Sequence, residues 1–116
     1  QFDLLPTHTK GFHMSDYSAD IAKYTSPVNQ AAVDVIVKYC GIALRNADSS
    51  MVSGTDPEEL ARVRTGFATK KLGLEAAAAD AGIQKVVEKM KGVNRKSRVT
   101  FYYLLAEATG TLSKLA

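Results

Sequence analysis

The basic residues of this chain are unevenly distributed, with six of the fifteen lysines and arginines between positions 85 and 98. Those six are Lys85, Lys89, Lys91, Arg95, Lys96 and Arg98, against one acid, Glu88. Cations at a helix end and in the following loop could bind phosphates, and Tyr102 or Tyr103 just beyond them could stack on a base. Lysines at a helix carboxyl end also stabilise the helix dipole without any ligand. Weak, sequence-tolerant nucleic-acid binding is therefore an alternative hypothesis and not the first one.

Two residue pairs near this cluster have a spacing that allows contact. Arg98 and Tyr102, and likewise Tyr103 and Glu107, are four residues apart, so their side chains can meet on a helix surface. An exposed tyrosine patch would favour a protein interface, whereas a deep pocket lined by these side chains would favour an enzyme. The candidate interaction surface consists of Lys89, Lys91, Arg95, Lys96, Arg98, Tyr102, Tyr103 and Glu107.

Catalytic chemistry has little support in the residue pattern. The two histidines, His8 and His13, lie within the first thirteen residues, so the remainder has no Ser-His-Asp or Cys-His arrangement. The carboxylates are scattered over predicted solvent faces and helix starts, and the single glycines lack the spacing of phosphate-binding loops. Cys40 lies on the apolar face of its helix, where a free cysteine behaves as a small hydrophobe. We predict no catalytic residue, metal or cofactor, and an enzyme of unknown type is the third hypothesis.

The first half of the chain predicts two helices and a connection. A helix beginning at Ser15 ends before Pro27, because a residue preceding proline is pushed out of helical geometry. Asn29 can cap a second helix, with a break or kink near Gly41. Its apolar stripe is Ala32, Val33, Ile36, Val37 and Cys40. The connection over residues 45–55 contains Met51 and Val52, which we expect to pin it to the core.

The next helix has the clearest start signal, with Asp56 as the cap, Pro57 at the first helical position and Glu59 completing a capping box. It should end at Gly73, and Gly66 in its middle indicates a close contact between helices.

Another helix lies within residues 74–91. Gly82 weakens it, so its start could fall near Asp80 instead of Glu75.

Residues 97–110 concentrate the largest apolar side chains in one helix-length run, which predicts a central helix. Ser97 can cap this helix and Gly110 can close it, while Leu112 and Leu115 anchor the tail. No strand-like alternation and no internal repeat compete with these assignments. The predicted fold is an all-α single domain of about five helices with short connections.

Composition sets the class and the compartment. An apolar fraction of 46% and a charged fraction of 23% match an average globular protein, and the net charge of +3 is too small to indicate nucleic acid by itself. No window reaches the ~18 to 20 apolar residues that a membrane-spanning helix needs. The amino end lacks the apolar core of a secretory signal, and a single cysteine suits a reducing compartment. We therefore expect a cytoplasmic protein with no membrane contact.

The first thirteen residues show no helical or strand period and precede Met14. We expect Met14 to be the natural first residue, with residues 1–13 a poorly structured cloning remnant or upstream extension. The helical domain then covers residues 14–116.

Four segments carry a family resemblance: MSDYSADIAKYTS from Met14, KYCGIALRNAD, TDPEELARVRTGFATKKLGL and KSRVTFYYLLAEATGTLSK. Together they resemble a small bacterial family of uncharacterised proteins, domain of unknown function family 2853. The resemblance covers residues 14–116 and is most specific in the final helix, while Gly82 and the four alanines depart from the usual pattern. It implies a compact helical domain from a bacterium, and it brings no activity, ligand or catalytic residue.

The leading functional hypothesis is a non-enzymatic, cytoplasmic domain that acts by binding another protein or a second copy of itself. It rests on the weak case for catalysis and on aromatic and basic residues beyond what a minimal core requires.

Overall fold

The computed structural model describes residues 14–25, 27–45, 51–52, 56–93 and 96–115. The five α-helices of this part are α1 (Met14–Ala22), α2 (Gln30–Cys40), α3 (Pro57–Arg62), α4 (Ala76–Lys89) and α5 (Arg98–Ala108). They are supplemented by a π-helix (Val63–Lys71), two short 3-10 helices (Gly41–Arg45, Leu112–Lys114) and two short strands, β1 (Met51–Val52) and β2 (Lys96–Ser97). The predicted all-α class and the number of helices are confirmed. No helix in these ranges is long and apolar enough to cross a bilayer.

The helix α5 is the centre of the fold. Eight consecutive residues, Val99 to Ala106, are buried. A helix that is buried on every side must be surrounded by other elements. The elements around α5 are α1, α2, α4 and the π-helix, so the prediction of a central helix in this stretch is confirmed.

Both ends of α5 follow the predicted chemistry. The amide of Thr100 donates to Ser97 Oγ at 3.5 Å. At the other end Gly110 has a φ of 71°, and the amides of Gly110 and Thr111 donate to the carbonyls of Glu107 (3.1 Å) and Ala106 (2.8 Å). This pair of bonds is a Schellman motif, and the left-handed residue it requires is most often glycine.

The helix α2 also begins and ends as its sequence predicts. Asn29 Oδ1 accepts a hydrogen bond from the amide of Ala32 at 3.2 Å. Four members of the predicted stripe are buried, and the fifth, Val37, is half-buried. The predicted break is confirmed, because α2 ends at Cys40 and Gly41 has a φ of 46°.

The third helix starts as predicted and then changes its winding. Asp56 accepts from the amide of Glu58 at 3.0 Å, and Pro57 occupies the first turn. After Arg62 the helix continues for nine residues as a π-helix, in which hydrogen bonds join residues five apart. The core-facing residues are Val63, Phe67, Ala68 and Leu72. Their spacing of four to five residues suits a π-helix better than an α-helix, whose faces repeat every three or four.

The structure decides between the two possible starts of α4 and shows which helical glycine makes the closer contact. The helix α4 starts at Ala76, not near Asp80, and includes Gly82 as a buried residue. A Cβ at Gly82 would lie 2.5 Å from Thr109 Cγ2 and 2.8 Å from Leu105 Cδ1, whereas one at Gly66 would lie 3.9 Å from the nearest neighbouring atom. The closest helix contact at these two glycines is therefore between α4 and α5 at Gly82, where a side chain would overlap with Leu105 of α5 unless that side chain moved.

A small antiparallel ladder joins the connection to the start of α5. Met51 faces Ser97 and Val52 faces Lys96. Val52 is fully buried, which confirms that this connection is pinned to the core. The ladder itself was not predicted, since two-residue strands are too short to show alternation.

Candidate interaction surface

The guanidinium of Arg98, at the first position of α5, is the centre of a polar cluster. Its Nη1 donates to the hydroxyl of Tyr102 at 3.0 Å, which confirms the contact predicted from their spacing. Its Nη2 donates to the carbonyl oxygen of Met51 at 3.2 Å and lies 3.3 Å from Glu59 Oε2. The Arg98 side chain is only 11% exposed. A charge this buried requires a counter-ion and several hydrogen bonds, and the cluster provides both.

Glu59 has a different role from the expected one. The sequence predicts that its carboxylate caps the start of α3, but the carboxylate contacts Arg98 and also lies 3.6 Å from Arg62 Nη2. The physical reason is that the start of α3 is already capped by Asp56, whereas the buried guanidinium of Arg98 needs a carboxylate.

Three aromatic rings extend from this cluster to the protein surface. The rings of Tyr102 and Phe67 stack with centroids 4.1 Å apart and planes at 15°. The ring of Tyr39 lies 5.3 Å from Phe67 and 6.3 Å from Tyr102, in tilted geometry. The Arg98 guanidinium carbon is 5.7 Å from the centre of the Tyr102 ring, within the range of a cation–π contact.

Tyr39 is the one large hydrophobic side chain that is exposed among the described residues, at 42%. It was not among the predicted site residues, although a signal was present in the sequence. The apolar stripe of α2 runs through Ile36 and Cys40, and Tyr39 lies beside that stripe. An aromatic residue beside the core face of a helix is a candidate for contact with a partner. The patch formed by Tyr39 and Gly66, above the buried ring of Phe67, is called the Tyr39 surface below.

The pKa values of Cys40, Tyr102 and Arg98 are shifted by burial and by their mutual contacts. Burial raises the pKa of the Cys40 thiol from 9.0 to about 12, although the Arg98 guanidinium acts in the opposite direction. Burial likewise raises the pKa of Tyr102, again against the influence of Arg98. For Arg98, burial alone would lower the pKa, but Tyr102 and Glu59 raise it above its usual value. At neutral pH the thiol and the phenol are therefore neutral while the guanidinium is charged.

Tyr103 and Glu107 belong to a separate set of contacts. The hydroxyl of Tyr103 accepts from the backbone amide of Asn29 at 2.8 Å, and the carboxylate of Glu107 accepts from the hydroxyl of Thr25 at 2.6 Å. These bonds attach the connection between α1 and α2 to α5. The contact allowed by the spacing of Tyr103 and Glu107 is replaced by two contacts with distant residues.

The other residues of the predicted interaction surface include both exposed and buried side chains. Lys89 and Lys91 are exposed, as is Lys85. Lys96 is buried, and its Nζ donates to the carbonyl of Val93 at 2.6 Å. Arg95 lies outside the described residues. The structure therefore brings Arg98 and Tyr102 together in one cluster and places Tyr103 and Glu107 in a second. It leaves Lys89, at the end of α4, and Lys91, just beyond it, exposed.

The fold and the cluster define a small all-α domain with a central helix, a buried arginine and an exposed tyrosine above it. Within the described ranges, no group of three histidine, cysteine or acidic side chains could hold a metal ion. The chain belongs to the family described as Protein of unknown function (DUF2853), whose model matches residues 16–113. The resemblance noted from the sequence is therefore confirmed at the level of the family. The comparison with curated proteins gave no match.

Proposed function

We propose that this protein is a non-enzymatic interaction domain that binds another protein through the Tyr39 surface. The single observation that supports the proposal most is the exposure of Tyr39. Its ring is held against Phe67 and Tyr102, so little side-chain freedom remains to be lost on binding. Rigid, partly exposed tyrosines are typical of the residues that dominate binding energy at interfaces.

The non-enzymatic part of the proposal is supported by the chemistry beside Tyr39. Cys40 and Tyr102 are two groups there that could act as a nucleophile or a base, and burial keeps both protonated at neutral pH. The guanidinium of Arg98 is occupied by Tyr102, Met51 and Glu59. These groups act as a support for the surface and not as reacting groups.

The proposal includes a bacterial source and a cytoplasmic location. The bacterial source follows from the family resemblance seen in the sequence. The location follows from the single free cysteine, Cys40, because a reducing compartment keeps such thiols unpaired.

A peptide-display experiment tests the proposal. A library of random peptides is selected against the full chain, and each selected peptide is then measured against Tyr39→Ala and against Gln84→Ala, an exposed control on α4. We expect binders whose affinity falls at least about tenfold with Tyr39→Ala and stays within about twofold with Gln84→Ala. Circular dichroism of both variants checks that the fold is kept. The proposal fails if no selected peptide depends on Tyr39.

Weak nucleic-acid binding remains a second candidate because Lys85, Lys89 and Lys91 are all exposed near the carboxyl end of α4. It predicts that a labelled single-stranded oligonucleotide binds at low salt and that affinity falls steeply as salt rises. Replacing Lys89 and Lys91 with glutamate should reduce that binding and its salt dependence. The absence of any binding at ~50 mM salt would end this candidate.

A further inference from the structure

Three exposed cations lie on the helices that pass Tyr39. Lys38 precedes Tyr39 on α2 and is exposed. A Cβ at Gly66 would lie 3.9 Å from the Tyr39 hydroxyl, so the helix that contains Gly66 runs past the Tyr39 side chain. Arg62, the last residue of α3, and Lys70 of the π-helix lie four residues before and after Gly66, and both are exposed. Three cations therefore lie beside the Tyr39 surface, each within about one helical turn of it.

Two carboxylates on these helices already have partners. Glu59 contacts Arg98 and Arg62, and Asp34 on α2 accepts from Gln30 Nε2 at 3.0 Å. Within the described part of the chain, neither Lys38 nor Lys70 has an ion-pair partner. The Tyr39 surface is therefore an exposed aromatic ring beside two lysines, Lys38 and Lys70, that have no ion pair among the described residues, and beside Arg62, whose partner Glu59 is shared with Arg98.

This charge pattern argues against a second copy of the chain as the occupant. A two-fold symmetric dimer centred on Tyr39 would bring the same patch of both copies together. Lys38, Arg62 and Lys70 would then face the same cations of the other copy, and like charges brought together across an interface are unfavourable. A partner with opposite charge avoids this cost and is attracted at long range.

We infer that the Tyr39 surface binds an acidic peptide segment of another protein, with an apolar side chain on the Tyr39 ring and carboxylates at Lys38, Arg62 and Lys70. This inference rests on the proposed function and identifies the chemistry of its partner. The aromatic ring supplies the apolar contact. The cations favour an acidic partner over a basic one and make association depend on salt.

Two designed peptide libraries test whether the partner is negatively or positively charged. Both are displayed against the full chain; one alternates acidic with apolar residues and the other alternates basic with apolar residues. We expect binders that depend on Tyr39 from the acidic library and none from the basic library. Binding of a selected acidic peptide should weaken as salt rises, because exposed charges are screened.

Matched charge-reversal variants locate the contact. Replacing Lys38, Arg62 and Lys70 with glutamate should weaken the acidic peptide by about tenfold or more. The control replaces Lys85, Lys89 and Lys91 with glutamate, which changes the net charge equally on α4 and in the turn after it. It should alter affinity by less than about threefold. Because Arg62 also contacts Glu59, the double variant Lys38→Glu with Lys70→Glu is measured as well. It should show a loss smaller than the triple variant but larger than the control.

The outcomes separate the two proposals. Two results would overturn the acidic partner while leaving Tyr39 as a binding site. One is a Tyr39-dependent binder from the basic library. The other is an acidic peptide whose affinity falls in neither the triple nor the double charge-reversal variant. A single-stranded oligonucleotide that displaces the acidic peptide and binds more tightly would assign the surface to nucleic acid and also overturn it. If no peptide from either designed library or from the random library depends on Tyr39, the proposed function fails and the inference with it.

Discussion

Tyr102 and Tyr103 are adjacent on α5 and both are buried, yet their hydroxyl groups have partners of different kinds. Tyr102 accepts from the charged guanidinium of Arg98 and lies below the exposed ring of Tyr39. Tyr103 accepts from a neutral backbone amide at the start of α2. The side of α5 at Tyr102 therefore holds a charge under an open surface, and the side at Tyr103 fastens one connection to the core.

Because the partners differ, losing the hydrogen bond of Tyr102 should destabilise the fold more than losing that of Tyr103. Hydrogen bonds to charged groups contribute roughly twice as much as neutral ones, and leaving a buried charge without a partner is costly. Disturbing the Arg98 cluster should therefore affect both stability and the Tyr39 surface. Disturbing the contacts of Tyr103 should affect stability alone.

The largest effect is expected from Arg98→Leu. The change leaves Glu59, 16% exposed, with only the exposed Arg62 as a counter-ion, and should lower the free energy of unfolding by about 3 kcal/mol or more. Urea unfolding monitored by circular dichroism measures it. The double variant Arg98→Leu with Glu59→Leu is the control and should recover part of the loss, because no uncompensated charge remains. A double variant less stable than Arg98→Leu would contradict this account of the cluster.

The position of this cluster could not be predicted from the sequence, although many elements could. The caps at Asn29, Asp56 and Ser97 each depend on a few neighbouring residues, so local pattern was sufficient. Glu59 and Arg98 are 39 residues apart, and their contact depends on how α3 and α5 pack. Only the Arg98–Tyr102 part was predictable, because it lies within one helix.

A smaller effect is expected when each tyrosine loses its hydroxyl. Tyr102→Phe removes an acceptor from a charged donor and should cost about 2 kcal/mol, whereas Tyr103→Phe removes a neutral bond and should cost about 1 kcal/mol. Both rings are kept, so packing changes little in either variant. Peptide binding should weaken only in Tyr102→Phe, because the Arg98 guanidinium beneath the Tyr39 surface then loses one of its partners. Equal losses of stability, with equal effects on binding, would remove the distinction between the two sides.

The next test is how the free energy of unfolding changes at alkaline pH, where groups on the Tyr102 side of α5 ionise. The thiol of Cys40 has a pKa of 9.0 when free and about 12 when folded, so the folded state retains a proton that the unfolded state loses. The stabilisation is complete below pH 9 and is lost as pH rises toward 12, at about 1.4 kcal/mol per pH unit. Tyr102 contributes in the same direction, since its pKa is also raised.

Urea unfolding of the wild type and of Cys40→Ala over this range isolates the thiol. The variant should be less stable at neutral pH because it leaves a small cavity, but its stability should fall less steeply with rising pH. Parallel curves for the two proteins would show that the thiol ionises equally easily in both states and would refute the role of burial.

The winding of the helix beneath Tyr39 is the feature of the fold that local pattern least determined. The caps at Asp56 and Gly73 predicted where this helix begins and ends, but not that Val63 to Lys71 would form a π-helix. The wider turn allows Phe67 and Ala68 to face the core together and Leu72 to follow on the same side. Packing against α4 and α5 thus overrides the α-helical hydrogen-bond pattern, and π-helical segments are frequent at functional sites.

The smallest effect is expected at the start of α2. Asn29→Ala removes the side-chain cap at Ala32 but keeps the backbone amide that donates to Tyr103, so the loss should be about 0.5 to 1 kcal/mol. Asn29→Gly is the control and should cost only a few tenths of a kcal/mol, because glycine is itself tolerated at this position. Thermal unfolding measures both, and peptide binding at Tyr39 should be unchanged. A loss of binding in either variant would mean that the contacts of Tyr103 reach the Tyr39 surface, and the two sides of α5 would then act as one unit.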